Sequence, residues 1–463
     1  LLGLFKTKLL EQARFPSATW EREDILFLVV VLFETNLFQL ERGIFMSGPC
    51  IILDKSAFQS LKKSESFILH KYFFVNVPPV LVLEIIGDLK KLSLKKDPHK
   101  MVSEYAGKLL LSNGFVNTHF TQLLTSSLKG EPVFMDGRPL IGMGRSSYVE
   151  GQGKGVVIDC SPELEAVNRW KDGNFLKSEE ILAERWRNIT QGINLEYLRQ
   201  KLRAKALRIP RVEIPEELIE MVDDFLSNIS NPIGELYWLF LELGVAPNTI
   251  ERASLRWQNC GYTNLVSFAP YAHHCVRVSL FFYMGLFHNC PFTGTRATNK
   301  IDLEYLYYLP FCNVFASGDN FHVRICRVFL RKDQSFVGRD DLKRDLAAID
   351  SLWVKFTPNQ KAYIWPPERE GSIVLDLWKK HVAPVRSDDQ NLAFLMSKEK
   401  QEEILSRLKL IKATAQQNAS SQYDFSPIHE PEFIQISQKM NPKDPCPCGS
   451  GLPAGQCHLK NIK

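Results

Sequence analysis

At 463 residues the chain exceeds the size at which one hydrophobic core keeps growing, so roughly two or three domains are expected. With 45% hydrophobic, 11% aromatic and 24% charged residues, the composition excludes a disordered or collagen-like polypeptide. A formal net charge of +5 permits a nucleic-acid partner without demanding one.

The chain begins with Leu1, and Met46 stands just ahead of a strand-like segment, so residues 1–45 read as an N-terminal extension, dispensable or even non-native. Within it, ILFLVVVLF (Ile25–Phe33) is an apolar run of nine residues. About 20 are needed to span a bilayer. The run follows Glu21, Glu23 and Asp24 where a signal peptide carries basic residues, so no membrane partner and no secretory leader are expected.

CIILDKSAFQSL (Cys50–Leu61) reads as a short buried strand ending at Asp54, with Ser56 capping the helix that follows. YFFVNVPPVLVLEIIGDLKKL (Tyr72–Leu92) reads as a second strand, a Pro-Pro turn and a helix on which Glu84 and Asp88 share a face. Residues 97–155 carry weak periodicity, and Ser161–Phe287 is dense in helical patterns such as SEEILAERWRNI and PEELIEMVDDFLSNI. Residues 97–290 are therefore expected to be a mainly helical insertion between two parts of an α/β unit, 46–96 and 291–417. GQGKG (Gly151–Gly155) lacks the spacing of a phosphate-binding loop, which argues against an NTPase. His273, His274 and Cys275 read as structural, because adjacent residues point in different directions.

NKIDLEYLYYLPFCNVFASGDNFHV (Asn299–Val323) reads as a helix with Asp302 at or near its start, a strand over Asn313–Ala316, and Asp319 just past the strand's end. DDLKRDLAAI and Leu392–Gln416 read as charged amphipathic helices, and residues 418–445 as a polar linker. A basic stripe of Arg199, Lys201, Arg203, Lys205, Arg208 and Arg211 reads either as a solvated helix face or as a track for an RNA backbone. Outside the tail the cysteines lie scattered in apolar surroundings, the usage of a reduced, cytoplasmic protein.

The tail, NPKDPCPCGSGLPAGQCHLK, places Cys446, Cys448, Cys457 and His458 in the pattern C-x-C-x8-C-H. Zinc takes four tetrahedral thiolate or imidazole ligands, and two close pairs across a glycine-bearing turn supply them. With all four positions filled by protein, the zinc would be structural. The segment resembles the SEC-C motif, named from the C-terminus of the bacterial preprotein translocase ATPase. Leu452–Gly455 stands where that family carries a basic-aromatic run. The resemblance implies a zinc knuckle over residues 446–463, a tethered module for a protein or RNA partner.

Asp54, Glu84, Asp302 and Asp319 matter as a set. Side chains at the carboxyl ends of parallel strands and on neighbouring helices converge on one crevice. Clustered carboxylates repel unless a cation neutralises them, and oxygen ligands suit Mg²⁺ or Mn²⁺. Asp88 reads as a further ligand or as solvent-facing. Ser317 either orients a metal-bound water or phosphate, or is a turn hydroxyl. His322 reads as structural more readily than as a phosphate contact.

The order of these acids, in ILDKS, VPPVLVLEI and IDLEYLYYLPFCNVFASGD, resembles the PIN-like nuclease domain. That resemblance implies a Rossmann-type parallel sheet split by the helical insertion, with Asp54, Glu84, Asp302 and Asp319 as the catalytic, metal-binding acids. It further implies an endoribonuclease activity using Mg²⁺ or Mn²⁺, and the pairing with an SEC-C tail suggests a toxin or phage-defence setting. A noncatalytic recruitment factor and a DNA nuclease with the same acids fit the same residues.

Overall fold

The computed structural model describes residues 48–382, apart from 92–95, 110–113, 141–143, 150–152, 159–161, 205–210, 262–263, 358–359 and 362–364. The first strand, β1 (Cys50–Leu53), is buried along its whole length. It leads into α1 (Lys55–Ser60) and α2 (Lys63–Tyr72), then into the equally buried β2 (Phe74–Val77). The cap of α1 is Asp54 itself, whose carboxylate accepts the Ala57 N–H, and Ser56, expected to be the cap, is the second helical residue. Pro79 opens α3 (Pro79–Gly87) at the first helical position, where its missing N–H costs nothing.

After α4 (Pro98–Leu109) the chain adds β3 (Gly114–Val116) to the sheet, beside β2. The sheet therefore continues past residue 96, where the first part of the α/β unit was expected to end. The excursion that follows holds α5 (Phe120–Lys129), an antiparallel hairpin of β4 (Gly144–Val149) and β5 (Gly153–Ile158), α6 (Pro162–Lys171), α7 (Lys177–Gly192), α8 (Leu195–Arg203) and α9 (Pro215–Asn228). It continues through α10 (Pro232–Glu235), α11 (Tyr237–Glu242), α12 (Pro247–Cys260), α13 (Leu265–Phe268) and α14 (Pro270–His288). Among its described residues the regular elements of the excursion are thus helical but for the hairpin. Gly153–Gly155 lies in β5, a setting unlike the strand-to-helix turn of a phosphate-binding loop.

α15 (Thr298–Leu306) brings the chain back to β6 (Val314–Ser317), α16 (Asn320–Ile325), β7 (Ser335–Gly338), α17 (Arg339–Trp353) and α18 (Ile373–His381). All five strands of the main sheet are parallel, in the order β3-β2-β1-β6-β7. The register pairs Ile51 with Val75 on one side of β1 and Ile52 with Phe315 on the other. The winding reverses at β1, an order compatible with a Rossmann-like fold. Ligands of such sheets bind at that reversal, outside the carboxyl ends of the strands.

One apolar core runs through sheet and excursion together. α14, apolar nearly all round, packs against α5, α8, α9 and α13, and α7 lies on α3. The six described cysteines are free thiols, all buried except Cys260. Among the described residues no helix is long and apolar enough to cross a membrane. The run Ile25–Phe33, the helices expected over Leu392–Gln416 and the tail motif lie outside the described residues.

His274 on α14 is held by a 2.9 Å hydrogen bond between its Nε2 and the Leu306 carbonyl, in keeping with a structural role. Burial lowers it to about 3 from an ordinary 6.5, and the charges of Arg277, His273 and Arg331 act in the same direction while the Leu306 bond opposes them. The unfolded chain therefore binds this proton at a higher pH than the folded one, and the stability it contributes is lost as pH falls from 6.5 toward 3. His274→Gln keeps a donor for Leu306 and removes the titration. Between pH 7 and pH 5, urea unfolding should show wild type losing about 2 kcal/mol more than this variant. Equal losses would refute it.

Candidate active site

The carboxyl ends of β1 and β6 meet at Asp54. This residue is 2% exposed, and both its oxygens are bonded. Oδ1 accepts the Ala57 N–H and the Ser56 hydroxyl, each at 2.8 Å; Oδ2 accepts the Ser317 hydroxyl at 2.5 Å and lies 3.2 Å from His322 Nδ1. The Gly318 N–H donates to Ser56 Oγ at 2.9 Å, and the Asp319 N–H to Ser317 Oγ at 3.0 Å. Ser317, fully buried, thus orients the first carboxylate and the turn that carries the last.

His322 joins three parts of the crevice. Its Nε2 lies 2.8 Å from the backbone carbonyl of Asp302, which can only accept, so that nitrogen carries a proton. Ser317 gives its one proton to Asp54, leaving an acceptor facing Nδ1 at 2.9 Å. This pattern assigns a proton to both ring nitrogens. Burial disfavours both charges, but the hydrogen bond and charge of each partner outweigh it. Asp54 is held below the usual carboxylate range, helped by Ser317 and Ala57, and His322 is lifted to about 9.

Glu84, on α3, accepts the Tyr305 hydroxyl at 2.5 Å. Burial raises its pKa; Lys55 and Tyr305 oppose that, while the charges of Asp54 and Asp88 add to it. Asp302 lies in the middle of α15, one turn before Tyr305, where the sequence reading had it at or near the helix start. A helix-capping role for Asp302 is thereby excluded. Its Oδ2 is buried with no hydrogen-bond partner. Burial pushes Asp302 up to about 8 against the pull of His322, and the charges of Glu84, Asp319 and Asp54 push further. Asp319 caps α16 through a 2.7 Å bond from the Phe321 N–H and is half-buried. The charges of Glu84, Asp319 and Asp54 all act on Asp302, so the four acids lie near one another at the reversal of the sheet.

Asp88 does not face solvent. It is 0% exposed, bonded to Lys55 Nζ at 2.9 Å and to Arg187 Nη2 at 2.5 Å, with Gln59 Nε2 at 3.3 Å. Arg187 comes from α7 and also donates to the Gly87 carbonyl at 2.8 Å. Lys55 donates to the Glu84 carbonyl at 2.7 Å. Two cations thus pair with this carboxylate, and one of them belongs to the excursion.

Among the described residues no three His, Cys, Asp or Glu side chains stand close enough together to form a ready metal-ligand set. The donor chemistry nonetheless fits a hard cation: half-buried carboxylates repel one another, and Asp302 holds an oxygen that neither protein nor bulk water satisfies. The basic stripe is partly spent. Arg199 is tied to Glu196 and Asn289, and Lys201 lies 4.1 Å over the exposed ring of Tyr197. The zinc-pattern residues Cys446, Cys448, Cys457 and His458 lie outside the described residues. Comparison with protein-family models, curated proteins and solved structures returned no match.

Sequence reasoning missed Tyr305, Lys55 and Arg187, and it did not show that His322, read as structural, is bonded to Asp54. Tyr305 alone carried a signal, its three-residue spacing from Asp302 on one helix face.

Proposed function

We propose that the chain is a PIN-like metal-dependent nuclease that hydrolyses RNA phosphodiesters at the crevice of Asp54, Glu84, Asp302 and Asp319. The observation that carries this reading is Asp302, whose buried Oδ2 has no hydrogen-bond partner while the charges of Glu84, Asp319 and Asp54 act on it at the sheet's reversal point. A fold keeps such repulsion where function requires it. Asp302 and Asp319 would hold Mg²⁺ or Mn²⁺, with Glu84 across the crevice. The cation supplies, when bound, the Lewis acidity that makes water a nucleophile near neutral pH and offsets charge on the phosphate. Asp54, fixed by Ser56, Ser317, Ala57 and His322, shapes the site and presents negative charge without being free to move. Glu84, with its raised pKa, is suited to accept a proton from the attacking water. The SEC-C resemblance of the tail adds a structural zinc at Cys446, Cys448, Cys457 and His458 and a docking role to this proposal.

Labelled single-stranded RNA and matched DNA, incubated with Mn²⁺, Mg²⁺ or EDTA, test the reading. RNA should be cut with either metal and spared in EDTA. Asp319→Asn should lower the rate by on the order of 100-fold or more, since loss of a ligand should exceed the roughly 10–100-fold typical of outer-shell changes. Asp54→Asn should do the same. Cutting of DNA alone would reassign the substrate, and no cutting, or cutting indifferent to both substitutions, would favour a recruitment factor.

A further inference from the structure

Arg339 is the first residue of α17, directly after β7, at the same carboxyl edge of the sheet as the acids. A cation there meets the positive end of the helix dipole, so local electrostatics disfavour it. The side chain turns back across the Ser317–Asp319 turn. Its Cβ, Cδ and Nε lie 2.8–3.0 Å from where a Cβ on Gly318 would stand. The bare Gly318 therefore makes room for Arg339, a steric need rather than a backbone one. The guanidinium bonds to Asp340 through Nε at 2.8 Å and Nη2 at 3.1 Å, and the two side chains are 37% and 74% exposed. Surface pairs of this kind contribute about 0–1 kcal/mol, which does not account for so specific a placement.

Lys55, the cation on the Glu84 side, is tied to Asp88 and the Glu84 carbonyl. Arg339, on the far side of Asp54 in strand order, retains exposed donors, and Asp54 lies near enough for its charge to act on the guanidinium. A planar guanidinium over a turn that ends in an acid suits a phosphodiester oxygen pair.

We propose that Arg339 binds a backbone phosphate of a nucleic-acid strand next to the bond held by the acids, making it a substrate-contact residue. The assignment rests on the nuclease reading. The test uses full-length protein made inactive by Asp302→Asn, and fluorescence anisotropy with a labelled single-stranded RNA oligonucleotide in Mg²⁺, from 50 to 200 mM salt. Adding Arg339→Ala should weaken binding about 3–10-fold at the lowest salt and reduce the slope of log affinity against log salt by about 0.7, one single-strand phosphate contact. Arg339→Lys should restore the slope. Lys355→Ala, which removes an exposed charge just beyond the far end of α17, should change neither. In the cleaving protein, Arg339→Ala should raise KM with kcat retained.

Unchanged affinity and slope in a protein that binds, or an equal effect of Lys355→Ala, would overturn the assignment and leave the nuclease standing. An inactive parent that does not bind, together with a wild type that does not cut, would remove both.

Discussion

Asp302→Asn is expected to make the protein more stable and to stop it cutting. The carboxylate has a buried oxygen without a partner, and the negative charges of Glu84, Asp319 and Asp54 act on it. Lifted to about 8, the group is mostly protonated near neutral pH at a cost to the fold, and an amide of nearly the same shape avoids both that cost and the repulsion and desolvation of the ionised form. A gain on the order of 1–3 kcal/mol follows, read as a rise in Tm of about 1–2 °C per kcal/mol in EDTA for a core of this size. The same change takes away a ligand, so cleavage should fall by on the order of 100-fold or more. Mn²⁺ sharpens the contrast: it should raise the Tm of wild type, where it offsets the repulsion, and raise that of the variant much less. A variant less stable than wild type in EDTA would mean that the crevice is held by a bond to Asp302 and is not poised for a cation.

Much of the α/β unit was legible because its signals are local. CIIL and FVNV are short apolar runs, and they become fully buried parallel strands. The Pro78–Pro79 pair marks the start of α3, whereas α16, which Asp319 caps, was not read from the sequence. β3 was not legible. GFV is three residues long with two half-exposed positions, and it is a strand only because β2 is there to pair with it. The edge of the sheet is thus set by tertiary context, which outweighs local propensity. The acids Asp54 and Asp319 show a further limit. Each caps a helix and also lies within reach of Asp302's charge, so one side chain serves local structure and the candidate site together. Nothing in sequence spacing reports that Arg187 reaches a residue nearly a hundred positions before it.

Asp88→Ala should have the opposite effect on stability from Asp302→Asn, although both remove a buried acid beside the same crevice. Asp88 is 0% exposed and lies between Lys55 and Arg187, which are 16% and 24% exposed. Removing it leaves two cations facing each other without their counter-charge, and breaking such a pair costs about 3–5 kcal/mol. The urea midpoint should fall accordingly. Removing Arg187 as well, in Asp88→Ala/Arg187→Met, should recover part of the loss, with a coupling of about 1 kcal/mol or more in the double-mutant cycle. Additive losses would show that Arg187 does not act through Asp88. The coupling also bears on activity, because Lys55 holds the Glu84 carbonyl from this cluster. Arg187→Met alone should lower kcat with little change in KM, and Arg187→Lys should restore it in part. A helix of the excursion would then be fixing the position of a catalytic acid on the sheet, which makes the excursion a working part of the site.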